Sequence, residues 1–331
     1  MIFYPLPGLH GISEICYTVH TDIRKGDAQM GEYALSYDSG TVSALLRHSR
    51  KTLLEQIAFR IGHGESLALI GETGSGKTMT ALSILGLLPE NVTRSGGEIL
   101  FDGVPQPEAE PMRRLRGNQV VYIPQSGLES LNPAQTVRRQ FSDQLRKLRL
   151  PRSLWQSTAE SRLALAGLED PAEVLRKYPF QLSGGMAQRV TIALAACASP
   201  SLVIADEPTN GLDEKAKQAF LNLLKTVFPD AGRLIITHDI GVAALCDRVL
   251  VLCGGRAMEL GEASEVLNRP RHPYTRALLR ALVENGMAET PVRREGNSVC
   301  PFYRRCPSAA EKCLAELPHR TDGDTEWWCS A

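Results

Sequence analysis

The stretch Gly71-Glu-Thr-Gly-Ser-Gly-Lys77-Thr78 directly follows the apolar run Ser66-Leu-Ala-Leu-Ile70 and precedes a pattern of helical spacing that begins at Met79. A strand, a turn rich in glycine and then a helix is the arrangement of a phosphate-binding loop. The glycines let the backbone fold tightly enough for successive N–H groups to point at phosphate oxygens, and the helix adds the positive end of its dipole. Lys77 then reaches the β- and γ-phosphates of a nucleotide. Thr78 offers a hydroxyl to Mg²⁺, which takes a few hard oxygen ligands and keeps waters in its other positions. Gly71, Glu72, Thr73, Gly74, Ser75, Gly76, Lys77 and Thr78 are therefore the first candidate site, and the rest of the chain reads as apparatus around it.

Downstream, Val120–Ile123, Leu202–Ala205, Leu234–Thr237 and Val249–Leu252 are short apolar runs of the kind buried in a parallel sheet. The helical stretches Glu214–Val227 and Ile240–Cys246 separate the last three, so the pattern predicts βα units and a mostly parallel α/β sheet. Ahead of the loop, Tyr33–Tyr37 and Leu53–Ile61 predict two strands of an antiparallel edge, and Gly97–Gly103 predicts a further strand. Met79–Leu88 reads as a helix that stops at Pro89. The charged helical pattern from Val137 to Lys177, broken at Pro151 and Pro171, reads as a helical insertion. From about Glu259 the composition shifts to Pro, Arg and Cys, which marks a C-terminal extension. The expected division is 1–31, a segment given no role beyond a short strand at Ile15–Val19; 32–258, the α/β domain with a helical subdomain over about 134–190; and 259–331.

Composition narrows the class. Lys plus Arg and Asp plus Glu both total 37, so zero formal charge gives no overall pull toward nucleic acid or anionic lipid. No run approaches the length of apolar sequence that spans a bilayer, and Met1–Gly11 lacks a signal peptide's basic flank and apolar centre. A cytosolic chain is expected. The cysteines are then thiols or metal ligands rather than disulfides.

Asp206 and Glu207 end the Leu202–Ala205 run, where a carboxylate can meet the Mg²⁺ held by Thr78. Glu207, one position further on, is expected to polarise the attacking water as general base. Gln125 and His238 also follow buried strands, so both are expected on the same sheet edge. Gln125 would touch Mg²⁺ or the water, and His238 would hydrogen-bond the γ-phosphate. Tyr37, with Tyr17 second, is the candidate for stacking on a base. Leu182-Ser-Gly-Gly185-Met-Ala-Gln188 opens another helix and is a second anion site, with Ser183, Gly184, Gly185 and Gln188 as its candidates. One nucleotide cannot occupy two such cradles in one monomer, so a head-to-tail dimer is expected. Cys300, Cys306, Cys313 and Cys329 suit an iron–sulfur cluster or a zinc site, whereas Cys16, Cys197, Cys246 and Cys253 lie in apolar stretches as small core residues.

Taken in order, Gly71 to Thr78, Gln125, Leu182 to Gln188, Leu202 to Glu207, Gly211-Leu-Asp213 and His238 resemble the nucleotide-binding subunit of an ABC transporter over about residues 33–331. They correspond to its Walker A, Q-loop, signature, Walker B with catalytic glutamate, D-loop and switch histidine. The resemblance implies a P-loop ATPase with antiparallel edge strands, a helical subdomain and a cysteine-containing extension. It further implies two subunits that sandwich two ATPs, each Walker A facing the partner's signature. Ile123-Pro-Gln-Ser-Gly-Leu-Glu-Ser-Leu-Asn-Pro133, Tyr178-Pro-Phe-Gln-Leu-Ser-Gly-Gly-Met186 and Arg271-His-Pro-Tyr-Thr-Arg-Ala-Leu-Leu279 resemble the ATPases of oligopeptide, dipeptide and nickel importers. Met186 replaces a common signature Gln, as is usual in that group, and Asn210-Gly211 departs from its more frequent Thr-Ala. The implied protein is a peripheral ATPase at the cytoplasmic side of the membrane. It would be driven by ATP and Mg²⁺, paired with a second ATPase chain, and coupled to two separate permease subunits and, indirectly, a substrate-binding protein. Some members of the group bind [4Fe-4S] at the C-terminal cysteines, which ranks a cluster ahead of zinc there. A soluble non-transport ABC ATPase and an ATP-binding redox or iron regulator are the alternatives.

Overall fold

In the computed structural model the described residues form fifteen strands in three sheets. The structure describes residues 31–47, 49–107, 109–281, 291–292, 298–315 and 317–329, so Cys16, Tyr17 and the strand expected at 15–19 lie outside the described residues. Two small antiparallel sheets come mostly from the first third of the chain. One runs β4 (Ala58–Gly62), β1 (Tyr33–Asp38), β7 (Ile99–Phe101), β8 (Val104–Pro105). The other runs β3 (Arg50–Glu55), β2 (Thr41–Leu45), β6 (Val92–Ser95).

The single strand expected over Leu53–Ile61 is thus two strands in different sheets. Gln56 breaks it with a left-handed φ of 53°, and its N–H donates to the Gly40 carbonyl at 2.8 Å. The helix expected over Met79–Leu88 is shorter, running Lys77–Ile84, and Gly86 leaves the helical region at φ 61°.

The third sheet carries the site. Its order is β14 (His319–Asp322), β15 (Thr325–Trp328), β13 (Arg256–Glu262), β12 (Arg248–Cys253), β5 (Ser66–Ile70), β11 (Gly232–Ile236), β10 (Leu202–Asp206), β9 (Val120–Ile123). From β12 to β9 every neighbouring pair is parallel, so five strands end on one edge. Every residue of β5, β10 and β11 is buried, as strands covered on both faces must be. Period-two alternation then splits them. Ala68 and Ile70 face one core with Phe220, Leu224 and Ile192, while Leu67 and Leu69 face the other with Ile84, Phe59 and Leu35. The C-terminal part is joined to this sheet, because β13 pairs antiparallel with both β12 and β15.

The helices Val137–Lys147, Trp155–Leu165 and Pro171–Arg176 break near the expected prolines. With one face of the Gly184–Ala195 helix they bury a core of their own, including Phe141, Leu163, Leu175 and Val190. The other face of that helix, through Ile192, packs on the sheet.

Candidate active site

Because the five strands are parallel, Gly71 after β5, Gln125 after β9, Glu207 after β10 and His238 after β11 all emerge at the same edge. β11 lies between β5 and β10, so His238 emerges between the glycine loop and the Asp206–Glu207 pair. The loop itself is drawn tight. Gly71 has φ +151°, and a Cβ there would stand 2.2 Å from the Leu252 carbonyl oxygen; Gly76 has φ +109°, and a Cβ there would stand 2.6 Å from Leu54. Backbone excludes a side chain at Gly71, and the positive φ strains one at Gly76.

Lys77 folds back over the loop, its Nζ donating to the carbonyls of Gly71 at 2.7 Å and Glu72 at 3.2 Å. Burial holds its pKa below the ordinary lysine value, against the opposing pull of the Glu207 and Asp206 charges. Asp206 is buried and accepts a hydrogen bond from Tyr122 Oη at 3.1 Å. Its pKa is raised, first by burial and also by the neighbouring Glu207 charge. An acid held this way is suited to meeting a cation. Thr78 and Gln125 are exposed at the same edge, and the set of hydroxyl, amide and carboxylate oxygens has the hard-donor chemistry that Mg²⁺ takes.

Glu207 is one of few non-glycine residues with a left-handed backbone, φ 47°, a conformation that costs about 1 kcal/mol. It is held there by its N–H, which donates to the Ile236 carbonyl at 2.8 Å. Its carboxylate lies 2.8 Å from His238 Nδ1, with Glu207 19% exposed and His238 64% exposed. A sheltered carboxylate beside an accessible imidazole can take a proton from a water and keep that water aligned.

The second glycine turn is built differently. Ser183 caps the Gly184–Ala195 helix, its Oγ accepting from the Met186 N–H at 3.2 Å. Ser183, Gly184 and Gly185 are exposed, and a Cβ at either glycine would meet nothing within 4 Å.

Residues 54–210 match the family model described as ABC transporter, and residues 258–313 match the oligopeptide/dipeptide transporter C-terminal region. The oligopeptide transport ATP-binding protein OppD of Escherichia coli is 39% identical over 285 residues, 81% of this chain and 83% of that protein. The dipeptide transport ATP-binding protein DppD of Bacillus subtilis is 36% identical over 281 residues, 80% of this chain and 84% of that protein. The chain belongs to the ABC transporter ATP-binding proteins. Within them it carries the C-terminal region of the oligopeptide/dipeptide group. Solved ABC structures share its fold. CbiO1 of Clostridium perfringens, part of the complex cbiONQ, has a TM-score of 0.61 at 27% identity, covering 72% of this chain and 92% of that one. The ATP-binding cassette MJ0796, a dimer in a post-hydrolysis state with ADP and Pi, has a TM-score of 0.60 at 25% identity over 69% of this chain and 98% of that one.

This ABC protein is therefore an ATPase, and one expectation about its site residues changes. Tyr37 is 1% exposed, with its ring 5.0 Å from that of Phe59 inside the core, so it offers no face to a base. Burial pushes its pKa up to about 12. Glu72 contributes backbone, not carboxylate, to the loop, because both carboxylate oxygens accept from Arg305, at 2.9 and 2.8 Å. Gln188 is engaged within the chain, its amide donating to the Pro208 carbonyl beyond β10. Tyr122, Tyr274 and Arg305 were not expected at the site. None of the three carried a periodic sequence signal; Tyr122 is the one exposed residue of β9.

In this ABC ATPase Cys197, Cys246 and Cys253 are buried in the core as expected. Cys300, Cys306, Cys313 and Cys329 are also buried, and none of them is in a disulfide. Burial pushes the Cys300 thiol up to about 11, with Cys306, Cys313 and Cys329 adding to the shift. Among the described residues no three His, Cys, Asp or Glu side chains are assembled to hold a metal. Nor is any described helix long and apolar enough to cross a membrane.

Proposed function

We propose that the chain is the ATP-hydrolysing subunit of an importer for di- or oligopeptides, acting at the cytoplasmic face of the membrane. The observation that carries the catalytic part is the 2.8 Å pair of Glu207 and His238 at the edge where Lys77 and Asp206 also end. The loop amides and Lys77 bind the β- and γ-phosphates, and Lys77 exchanges its bonds to the loop carbonyls for phosphate oxygens. Thr78, Gln125 and Asp206 would hold Mg²⁺, which supplies charge neutralisation between the phosphates. Glu207 takes a proton from the attacking water as the oxygen bonds to the γ-phosphorus and the bond to the ADP oxygen breaks. His238 holds the γ-phosphate and keeps Glu207 oriented.

The exposed Ser183–Gly185 turn suits the γ-phosphate of a nucleotide on a second ATPase chain, and hence a head-to-tail dimer. The MJ0796 cassette is a precedent for dimer formation. Two separate permease subunits would carry the peptide. Peptide is favoured over nickel or a metal chelate by the oligopeptide/dipeptide C-terminal region and by the relatives named above. A [4Fe-4S] cluster, with zinc second, is proposed at Cys300, Cys306, Cys313 and Cys329 on the chemistry of four buried thiols alone, since they are not assembled as a metal site here. Loading would draw the raised Cys300 thiol to its thiolate. Iron, sulfide and zinc analysis of anaerobically purified protein decides between them.

The reading is tested in the transporter assembled from its natural membrane subunits and reconstituted in vesicles. ATP-driven uptake of labelled peptide is expected, and Glu207→Gln is expected to lower ATP turnover by about 10²-fold or more while ATP still binds. Full turnover in that variant refutes the base assignment. Uptake of nickel but not peptide refutes the cargo.

A further inference from the structure

Glu72 is the only carboxylate within Gly71–Thr78, the segment read above as the cradle of a triphosphate. A side-chain charge of that sign beside phosphate oxygens opposes binding. The chain does not leave it there unattended. Arg305 forks onto it, Nη1 to Oε1 at 2.9 Å and Nη2 to Oε2 at 2.8 Å, the planar two-point pairing that fixes orientation as well as charge.

Arg305 is itself held. Its N–H donates to the Phe302 carbonyl at 3.0 Å, and its guanidinium lies 5.3 Å from the centroid of the Phe302 ring. Phe302 is 1% exposed and meets Tyr274 edge-on at 5.3 Å. Tyr274 Oη in turn accepts the Glu72 backbone N–H at 3.1 Å. Glu72 is therefore gripped at its amide by Tyr274 and at its carboxylate by Arg305, while its carbonyl accepts from Lys77. Tyr274 and Arg305 both come from beyond residue 270. Gly254 adjoins the same wall, since a Cβ there would meet Pro301 at 2.6 Å.

We propose that Arg305 is a positioning residue for nucleotide binding: it neutralises Glu72 and holds it aside, so that the loop accepts the triphosphate. The cysteine-bearing segment is thereby a wall of the nucleotide site and not a detached appendage. This rests on reading Gly71–Thr78 as the ATP cradle. The ion pair is partly exposed, with Arg305 at 30% and Glu72 at 45%, so the effect is moderate rather than absolute.

The test is the dissociation constant of ATP and of ADP for the purified full-length chain, measured by displacement of a fluorescent nucleotide, with melting temperature alongside. Arg305→Gln is expected to weaken ATP by about fivefold, the size of an exposed ion pair, and ADP by less because it carries less charge. Arg305→Lys is expected to recover part of the loss, keeping the charge without the fork. The deciding variant is Glu72→Gln with Arg305→Gln, which removes both charges and is expected to return ATP affinity to within about twofold of the native chain. A double variant as weak as Arg305→Gln alone, or an Arg305→Gln variant that binds ATP as the native chain does, overturns the proposal. Lys77→Ala separates this from the cradle reading. If that variant binds ATP unchanged, the cradle itself is misplaced and the proposal falls with it.

Discussion

At Gly71 an added Cβ would stand 2.2 Å from a carbonyl oxygen of β12, whereas at Gly184 and Gly185 it would meet no atom of the chain within 4 Å. Both turns are rich in glycine and both lead into a helix, so by sequence they look like two versions of one device. At Gly71 glycine is demanded by the chain's own backbone, because the loop and the Leu252 carbonyl of β12 pass too close for a side chain. In the second, nothing inside the chain demands it. A requirement there would have to come from outside, as the head-to-tail dimer proposed above would impose. A glycine explained by its own fold and a glycine left unexplained by it are different kinds of evidence.

The sharpest way to break that contrast is Gly71→Ala. A Cβ against a backbone oxygen at φ +151° cannot be relieved by rotating a side chain, so the variant is expected to lose about 3 kcal/mol or more of stability together with ATP binding. A melting temperature equal to the native value would show that the crowding is not real.

A pH series probes the wall behind the first turn, which the second turn lacks. His272 caps the helix that carries Tyr274, its Nδ1 accepting the Tyr274 N–H at 2.9 Å, and burial lowers its pKa from 6.5 to about 4. Between those values the unfolded chain binds a proton that the folded chain refuses. Stability is therefore intact above pH 6.5 and is lost as pH falls toward 4. Glu259, whose N–H partners include His272, has a carboxyl raised by burial and works in the opposite sense, so the comparison must be made against His272→Asn, which keeps a cap and does not titrate. Relative to that variant the native chain is expected to lose about 3 kcal/mol between pH 6.5 and 4, seen by denaturant unfolding. Parallel curves for the two proteins would refute the assignment.

The smallest stability effect is expected at Gly185→Ala. Alanine is the better helix former, so folding should be favoured by about 0.5–1 kcal/mol. Steady-state ATP turnover of the assembled transporter should nevertheless fall. Turnover equal to native would place the second turn with ordinary helix starts.

Most of the sheet and the catalytic edge were legible because the signals are local. The runs at Val120, Leu202, Leu234 and Val249 become buried strands, and Asp206, Glu207, His238 and Gln125 come to one edge simply because parallel strands end together. Gln56 was not legible, since a left-handed residue other than glycine leaves no mark in the apolar pattern of Leu53–Ile61. Tyr37 misled for a related reason: alternation says which strand residues share a face, not whether a helix covers it. Arg305 and Glu72 are joined across 233 residues by a side-chain contact, for which a sequence has no periodic trace.

The position of β5 in the sheet has a bearing on how the protein is made. Its two neighbours are β11, Gly232–Ile236, and β12, Arg248–Cys253, both far along the chain. A ribosome that has finished the glycine loop has supplied neither of them. Pairing across such separations is slow to form, because a long loop must close before any strand contact rewards it. The strand that presents the phosphate site is thus among the first written and among the last to be secured, and the growing chain must keep Ser66–Ile70, an apolar run with no charge, from other company until Cys253 has emerged.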